Sequence, residues 1–365
     1  MAGYGWSGKR LGQKSSAALL LTPFVVAYLA FLVVPFLNGI WISLHNWNLM
    51  AVAFDPNAKE FVGLRNYERI LWGKNIVWSP VANPLVQWSS AFVLVSTLLL
   101  TAFGKISRGT ALLVGSVALI LFVACGFHPG AGGRWYDRRF WPTVGNTILF
   151  VALTVPSITI ISLSLAVLVN RESRAMAVFR TIFFLSQVLS VTVVTLIWQL
   201  LFSPRQGLIA NVITLFGGSP IHWLTDERFA MAAIVITTVW WSLGIAMILF
   251  LAGLQDISRD IYEAAALDNA KGWRAFRHIT LPNLKRTITL VVVLQIILHF
   301  QVFGQSHLMT GGGPNDTTQT LVRYIYQTGF RDSELGRATT MAVFLFIIMG
   351  AFSLVQFLLG REEKD

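Results

Sequence analysis

Apolar residues in this chain come in long blocks free of Asp, Glu, Lys and Arg, separated by polar connections. A membrane helix needs roughly 20 apolar residues, because the hydrocarbon layer is about 30 Å thick and each residue rises 1.5 Å. On that ruler the blocks predict about eight spans. The first covers 17–45, and one more falls in each of the charge-free stretches 75–104 and 109–133. The others are expected at 143–170, 182–202, 229–254, 287–307 and 338–360. Pro23 and Pro35 in the first span mark expected bends, and Pro156 lies inside the fourth.

The polar connections differ in character. FVGLRNYERIL, at 61–71, reads as a short helix lying at the membrane interface. Lys105 and Arg108 mark a tight turn between two spans, and Arg171, Arg174 and Arg180 a polar loop before the fifth. The longest polar stretch, 255–286, places acids, bases, small residues and a glycine in an order that predicts two short helices. Asp260 stands three residues before Glu263, a spacing at which one carboxylate caps the first free N–H groups and the other reaches back. Glu263, Ala264, Ala265, Ala266 and Leu267 favour helix, and the alanines leave it thin enough to enter a cleft. The first helix is expected from about Asp260 to Lys271. Gly272 can take a positive φ and turn the chain, and a second helix, 273–279, is stopped by Pro282. By pattern alone this is an amphipathic helix-turn-helix, and its tether between two spans argues against a DNA-binding role.

Composition agrees. Of 365 residues, 55% are hydrophobic and only 12% charged, against about 25% charged in soluble domains, and the mean hydropathy is +0.64. The class is an all-α integral membrane protein. Lys plus Arg number 28 against 17 acids; in a membrane protein this excess points to cytoplasmic loops and anionic lipid rather than nucleic acid. With the N-terminus inside, the cytoplasmic segments are roughly twice as dense in basic residues as the outer ones, and an even span number leaves both termini in the cytoplasm. The N-terminal apolar run is too long for a signal peptide and reads as a retained first span. Cys125 stands alone, so neither an intrachain disulfide nor a cysteine metal cluster is expected. His299 and His307 have no acid near enough for a metal site or catalytic pair, and with no clustered catalytic set an enzyme is not expected. The glycine-rich stretch at 3–10, GYGWSGKR, lacks the Ser or Thr that would hold magnesium and has no preceding strand. This chain is therefore not expected to bind a nucleotide, Mg or another cofactor itself.

The stretch YEAAALDNAKG followed by ITLPNLKRT resembles the EAA loop of permease subunits of binding-protein-dependent ATP-binding-cassette importers. Within them it is similar to the sugar-importing branch, relatives of the maltose and glycerol-phosphate permeases. FLAGLQDISRDIYEAA, TGGGPNDTTQTLVRYIYQTGF, FVGLRNYERIL and RRFWPTVGNTILF carry the resemblance over most of the chain in the same order. One departure is Asn269 where the family often has Gly; Asn tolerates left-handed backbone, so the turn is expected to persist. Another is the stretch 72–135, an extra hairpin of two spans where such permeases pass directly into RFWxxxxNT. The resemblance implies a six-helix type I importer permease core. It divides the chain into a cytoplasmic N-terminus (1–16), a first span (17–45), an extracytoplasmic connection (46–80), the inserted hairpin (81–135), the permease core (136–360) with its coupling loop (256–286), and a cytoplasmic tail (361–365).

The resemblance further implies partners: a second permease, two ATPase subunits carrying ATP and Mg, and an extracytoplasmic sugar-binding protein, all at the cell membrane. Asp260, Tyr262, Glu263, Ala264, Ala265, Asp268, Gly272 and Pro282 become the contact with an ATPase subunit. Polar groups are costly in lipid and tend to face the bundle interior. Asn146, Gln187, Gln199, Gln295, Gln301 and Gln305 could therefore line a sugar path or bond between helices, and Trp198, Trp240 and Trp241 could stack on a sugar or anchor at the interface. Gln187 and Gln295 are the leading candidates. An ion-coupled secondary transporter is the alternative, but such proteins use charged residues within their spans and paired repeats, and neither is apparent here.

Overall fold

The computed structural model describes residues 13–104, 106, 108–171 and 173–361. Most of the expected N-terminal segment 1–16, with the stretch 3–10, lies outside the described residues, as do Lys105 and all but the first residue of the tail 361–365.

The first span is a continuous rod of α1 (Gln13–Tyr28), a π-helical turn (Leu29–Val33) and α2 (Val34–Ser43). Pro35 cannot donate to the carbonyl four residues back, and the widened turn just before it absorbs that mismatch. Then come β1 (His45–Asn46), α3 (Leu49–Phe54), β2 (Glu60–Phe61), which pairs antiparallel with β1, and α4 (Arg65–Leu71). The last is the short helix expected from FVGLRNYERIL.

The next segment departs from expectation. β3 (Gly73–Trp78), α5 (Pro84–Ala102), α6 (Arg108–Ala124) and β4 (Phe127–Trp135) form a helical hairpin mounted on an antiparallel ribbon, β3 against β4. The charge-free stretches 75–104 and 109–133 thus contain strand at their outer ends. Lack of charge reports apolarity and is silent on backbone conformation; the strand signal lay in Ile76, Val77 and Trp78.

The core follows with α7 (Phe140–Val169), α8 (Arg174–Val188), α9 (Val191–Leu201), α10 (Leu208–Leu215), α11 (Glu227–Gln255) and α12 (Arg259–Leu267). Next are α13 (Trp273–Ala275), a π turn (Phe276–Thr280) and α14 (Leu281–Asn283) in one run, α15 (Lys285–Phe300) and a π turn (Ser306–Thr310). The chain ends with α16 (Leu321–Tyr326), a π turn (Gln327–Arg331) and α17 (Leu335–Arg361). Among the described residues, five helices are long and apolar enough to cross a membrane, and two bent pairs bring the number to seven. The 17-residue α6 is the remaining apolar element of the eight anticipated.

The fifth span is not the straight helix expected at 182–202. Leu189 and Ser190 are extended, α8 and α9 meet at 103°, and the Ser190 hydroxyl accepts the Val193 N–H at 3.4 Å to start α9. Arg174 and Arg180 belong to α8 rather than to a loop, and Arg337 lies in the first turn of α17, so helices of the spans do carry cations. Arg180 is satisfied at a helix end: its Nη2 donates to Val169 O at 2.6 Å and to Arg171 O at 3.1 Å, capping α7.

Two apolar clusters share α7, α11 and α15 as their centre. One includes Phe140, Phe150, Ile234 and Phe300; the other includes Ile158, Met247, Phe250 and Leu284. α8 lies close against α11 because Gly244 has no side chain: a Cβ there would meet Phe183 O at 2.7 Å. The connections sort to two ends. At one end Asn48 bridges to Glu334, Asn146 Nδ2 donates to Asp316 O at 2.8 Å, and Gln199 Nε2 donates to Leu308 O at 2.7 Å. Residues 256–284 lie at the opposite end, as the alternation of spans requires.

The first of these ends is knotted together by Asp137, 6% exposed. Its carboxylate accepts the Arg139 and Phe140 N–H groups (2.9 and 3.1 Å), the Tyr324 hydroxyl (2.9 Å) and Arg337 Nη2 (2.8 Å). It thereby joins the start of α7 to α16 and α17. Burial and the Asp137 charge push the Tyr324 phenol up. Arg337 also pairs with Glu334, so losing the Asp137 charge weakens the knot without orphaning the guanidinium. Asp137→Asn should cost roughly 1–3 kcal/mol, seen as a lowered thermal midpoint of the detergent-solubilised protein; an unchanged midpoint would contradict this role.

Candidate functional site

The expected coupling stretch is a short surface helix held by its ends. α12 begins at Ser258, whose Oγ accepts the Asp260 N–H at 3.3 Å. The N-cap is therefore Ser258, and Asp260 sits in the first turn, where its charge complements the helix dipole. The helix also stops earlier than Lys271. Ala270 N donates to Ala265 O (2.9 Å) and Asn269 N to Ala266 O (3.2 Å), with Asn269 left-handed at φ 56°. This is a Schellman closure, and Asn269 serves it as a glycine would. Gly272, at φ 57° and ψ −122°, supplies a second reversal that a side chain would strain. The helix thus ends at Asp268 because the left-handed residue comes three positions before the glycine.

Beyond Gly272 the chain does not stop at Pro282. The π turn Phe276–Thr280 precedes the proline, and Asn283 Nδ2 donates to Ile279 O at 2.8 Å. The run Trp273–Asn283 then meets α15 at 66°, and Leu284 at that corner is fully buried in the core. One side-chain bond ties the surface helix to this run: Tyr262 OH to Thr280 Oγ1, 2.9 Å. α12 itself buries none of its residues; Glu263 and Ala264 are exposed and Ala265 half-buried. Leu267 is 90% and Trp273 71% exposed, large apolar side chains bared in a polar connection, which is the mark of a partner surface. Sequence reasoning passed over both, since only the placement of the two turns shows that they project outward.

Six of the nine candidate path residues fall in five settings. Asn146 donates to two outer-loop carbonyls, Asp316 O at 2.8 Å and Gln319 O at 3.2 Å. Trp241 Nε1 donates to Leu189 O at 3.2 Å, satisfying a carbonyl at the α8–α9 break, and half-buried Gln187 lies just before that break. Trp240 is exposed, edge-on to Trp198 at 5.8 Å. Gln301 is exposed and directs its amide at Met349 Sδ, 3.9 Å away. Gln295 is 3% exposed, and its Oε1 has no partner among the described residues. It is a free acceptor on α15, one turn before His299.

The connection between α15 and α16 is a compact polar unit. Ser306 Oγ donates to Thr318 O at 2.5 Å, Thr320 Oγ1 to Val302 O at 2.9 Å, and Arg323 donates to Gln319 and Gln327. Burial lowers the Arg323 guanidinium from its usual range. Among the described residues no group of three or more His, Cys, Asp or Glu is placed to hold a metal ion.

Residues 138–362 match the family described as binding-protein-dependent transport system inner membrane component. The lactose transport system permease protein LacF of Rhizobium radiobacter is 35% identical over 63% of this chain and 79% of its own length. The trehalose/maltose transport system permease protein MalF of Thermococcus litoralis is 27% identical over 95% of this chain and 94% of its own. Among solved structures, a chain of a bacterial ABC transporter involved in the import of the acidic polysaccharide alginate superposes with a TM-score of 0.63. It is 18% identical, over 98% of this chain and 99% of that one.

Gly272→Ala should strain the turn by about 1–3 kcal/mol, and Tyr262→Phe should remove the bond to Thr280. Both should raise hydrogen exchange across 259–276 while the thermal midpoint of the bundle stays put. Unchanged exchange in both variants would contradict the two-point attachment of α12.

Proposed function

The chain belongs to the binding-protein-dependent transport system inner membrane components, and we propose that it forms one half of a translocation pore through which a sugar or related carbohydrate enters the cytoplasm. The multi-pass helical bundle is the pore-forming part of such an importer. The names of the relatives, lactose and trehalose/maltose permeases among them, support a carbohydrate as cargo. In this reading a second permease completes the pore, two ATPase subunits hold ATP and Mg, and an extracytoplasmic binding protein delivers the sugar. Both termini and residues 256–286 face the cytoplasm.

The observation that carries the coupling reading is α12. It packs none of its own residues into the bundle, bares Leu267 beside exposed Trp273, and is linked through Tyr262 and Thr280 to the run that enters α15. An ATPase cleft that receives this helix moves α15 with it, because α12 is bonded through Tyr262 to the helical run Trp273–Asn283, which meets α15 at a corner locked by Leu284. Ala264 and Ala265 allow close approach, Glu263 and Asp268 supply polar docking contacts, Asp260 steadies the first turn, and Gly272 sets the angle. Closure of the ATPase pair would pull α12, and the permease halves would rock between inward-open and outward-open states as rigid bodies. Within the bundle, the unpartnered Gln295 Oε1 is suited to accept a bond from a sugar hydroxyl.

The test is the assembled importer in vesicles. A binding protein loaded with the right sugar should stimulate ATP hydrolysis and uptake, and a panel of sugars would identify the cargo. Glu263→Lys and Gly272→Pro should abolish uptake while the chain still inserts in the membrane; normal uptake by both would sink the coupling reading.

A further inference from the structure

A cavity of about 580 Å³ opens at the outer end of the bundle, between α4, the segment before α7 and the start of α17. Arg65, Glu68, Arg69, Tyr136, Asp137 and Arg337 line it. Arg337 pairs with Asp137 and with Glu334 just beyond the lining, so the uncommitted guanidinium groups are those of Arg65 and Arg69, with Glu68 on the same helix. Asp137 is already committed to Arg337 and Tyr324. Arg65 and Arg69, one turn apart on α4, are exposed, and no ion pair among the described residues engages either. Arg337 Nε is buried without an acceptor. The two free guanidinium groups, with the unpartnered Arg337 Nε behind them, suit the cavity to a small anion.

Its surroundings fix the depth in the membrane. Trp72, Trp135, Tyr136 and Trp141 cluster beside it: Trp141 Nε1 donates to Leu71 O at 3.2 Å, and the Trp135 and Trp141 rings lie 6.4 Å apart. Such rings collect where headgroups meet hydrocarbon. A second, apolar groove of about 340 Å³ lies between α5, α6 and α17, lined in part by Val86, Val93, Val114, Ala118 and Phe352. Its serine Ser90 turns its hydroxyl back to Val86 O at 2.7 Å and so offers the groove no hydrogen. Arg337 and Phe352 lie on the same helix, about 22 Å apart along the axis and about 60° apart around it. That is about the distance from a headgroup phosphate to the bilayer midplane, taking half of a 30 Å core plus about 6 Å of headgroup layer.

We propose that the cavity binds the phosphate of an anionic phospholipid, whose acyl chain lies in the groove formed by the α5–α6 hairpin and α17. Arg65 and Arg69 hold the phosphate oxygens, with Arg337 Nε and the Tyr136 hydroxyl as further donors. The hairpin then acts as the wall that keeps the lipid against α17. The inference requires only that the chain spans a membrane, so it stands or falls apart from the transport reading.

The full chain, purified with its partner subunits in mild detergent, should retain phosphatidylglycerol in preference to phosphatidylethanolamine, read by native mass spectrometry and lipid extraction. Each basic residue near an anionic lipid surface contributes about fivefold in binding, so Arg65→Gln with Arg69→Gln should weaken retention by about 25-fold. Arg65→Lys with Arg69→Lys should restore most of it. Val93→Trp, which fills the groove and leaves the arginines intact, should also displace the lipid. Retention at the unmodified level in the Gln pair overturns the proposal. So does equal occupancy by glycerol phosphate alone, which would mark a site for a soluble phosphate. A Gln pair that keeps its lipid but loses affinity for the binding protein would show that these arginines dock a protein, and would equally overturn it.

Discussion

Every interruption of a helix in this chain must satisfy its freed carbonyls and N–H groups from within the protein, because hydrocarbon offers none of the partners that water would. The structure meets this demand break by break. Asn66, 2% exposed, donates to Ser43 O and His45 O where the first span ends. Arg180 covers the end of α7, and Trp241 the corner between α8 and α9. Asn283 adds a side-chain donor to Ile279 O in the turn that holds Pro282. Asp137 does the converse for the start of α7, accepting two N–H groups and an arginine at once. Each capping side chain belongs to a different segment or a different turn from the group it serves, so the breaks double as the joints that position the helices.

This has a mechanical consequence. The end of the bundle gathered around Asp137 is densely cross-linked, whereas α12 at the opposite end buries none of its residues and is bonded through Tyr262 to Thr280 in the run that reaches the buried corner at Leu284. A force applied to α12 is therefore passed through that run toward α15. The asymmetry suits a member of this family, in which the driving subunits act from one side of the membrane and the cargo arrives from the other.

The helical hairpin and its ribbon show a limit of reading apolar blocks. Its two charge-free stretches correctly indicate apolar elements, but α5 and α6 occupy only 84–102 and 108–124, and the flanks are strand. The ribbon forms because glycines let the strands approach: a Cβ on Gly73 would meet Arg134 O at 2.2 Å. Similarly, Arg174 and Arg180 looked like loop residues because a cation is costly in lipid; Arg180 sits in a helix because the carbonyls that end α7 lie within its reach.

What the sequence determined by itself was the class, the sorting of the connections to two ends, and the local build of the stretch 256–286. Long charge-free blocks call for membrane helices within them, and alternating spans place 46–80 and 308–337 at the end opposite 256–286. The order of Glu263, the alanines, Asn269 and Gly272 dictates a short helix with two turns, since backbone sterics act within a few residues. Only the tertiary structure decided the 103° bend at Leu189, the outward projection of Leu267 and Trp273, the solitary Oε1 of Gln295 and the convergence of Asp137, Tyr324 and Arg337. Those features depend on groups far apart in the chain whose hydrogen-bonding needs are met by one another, and no local pattern records which distant partner will meet them.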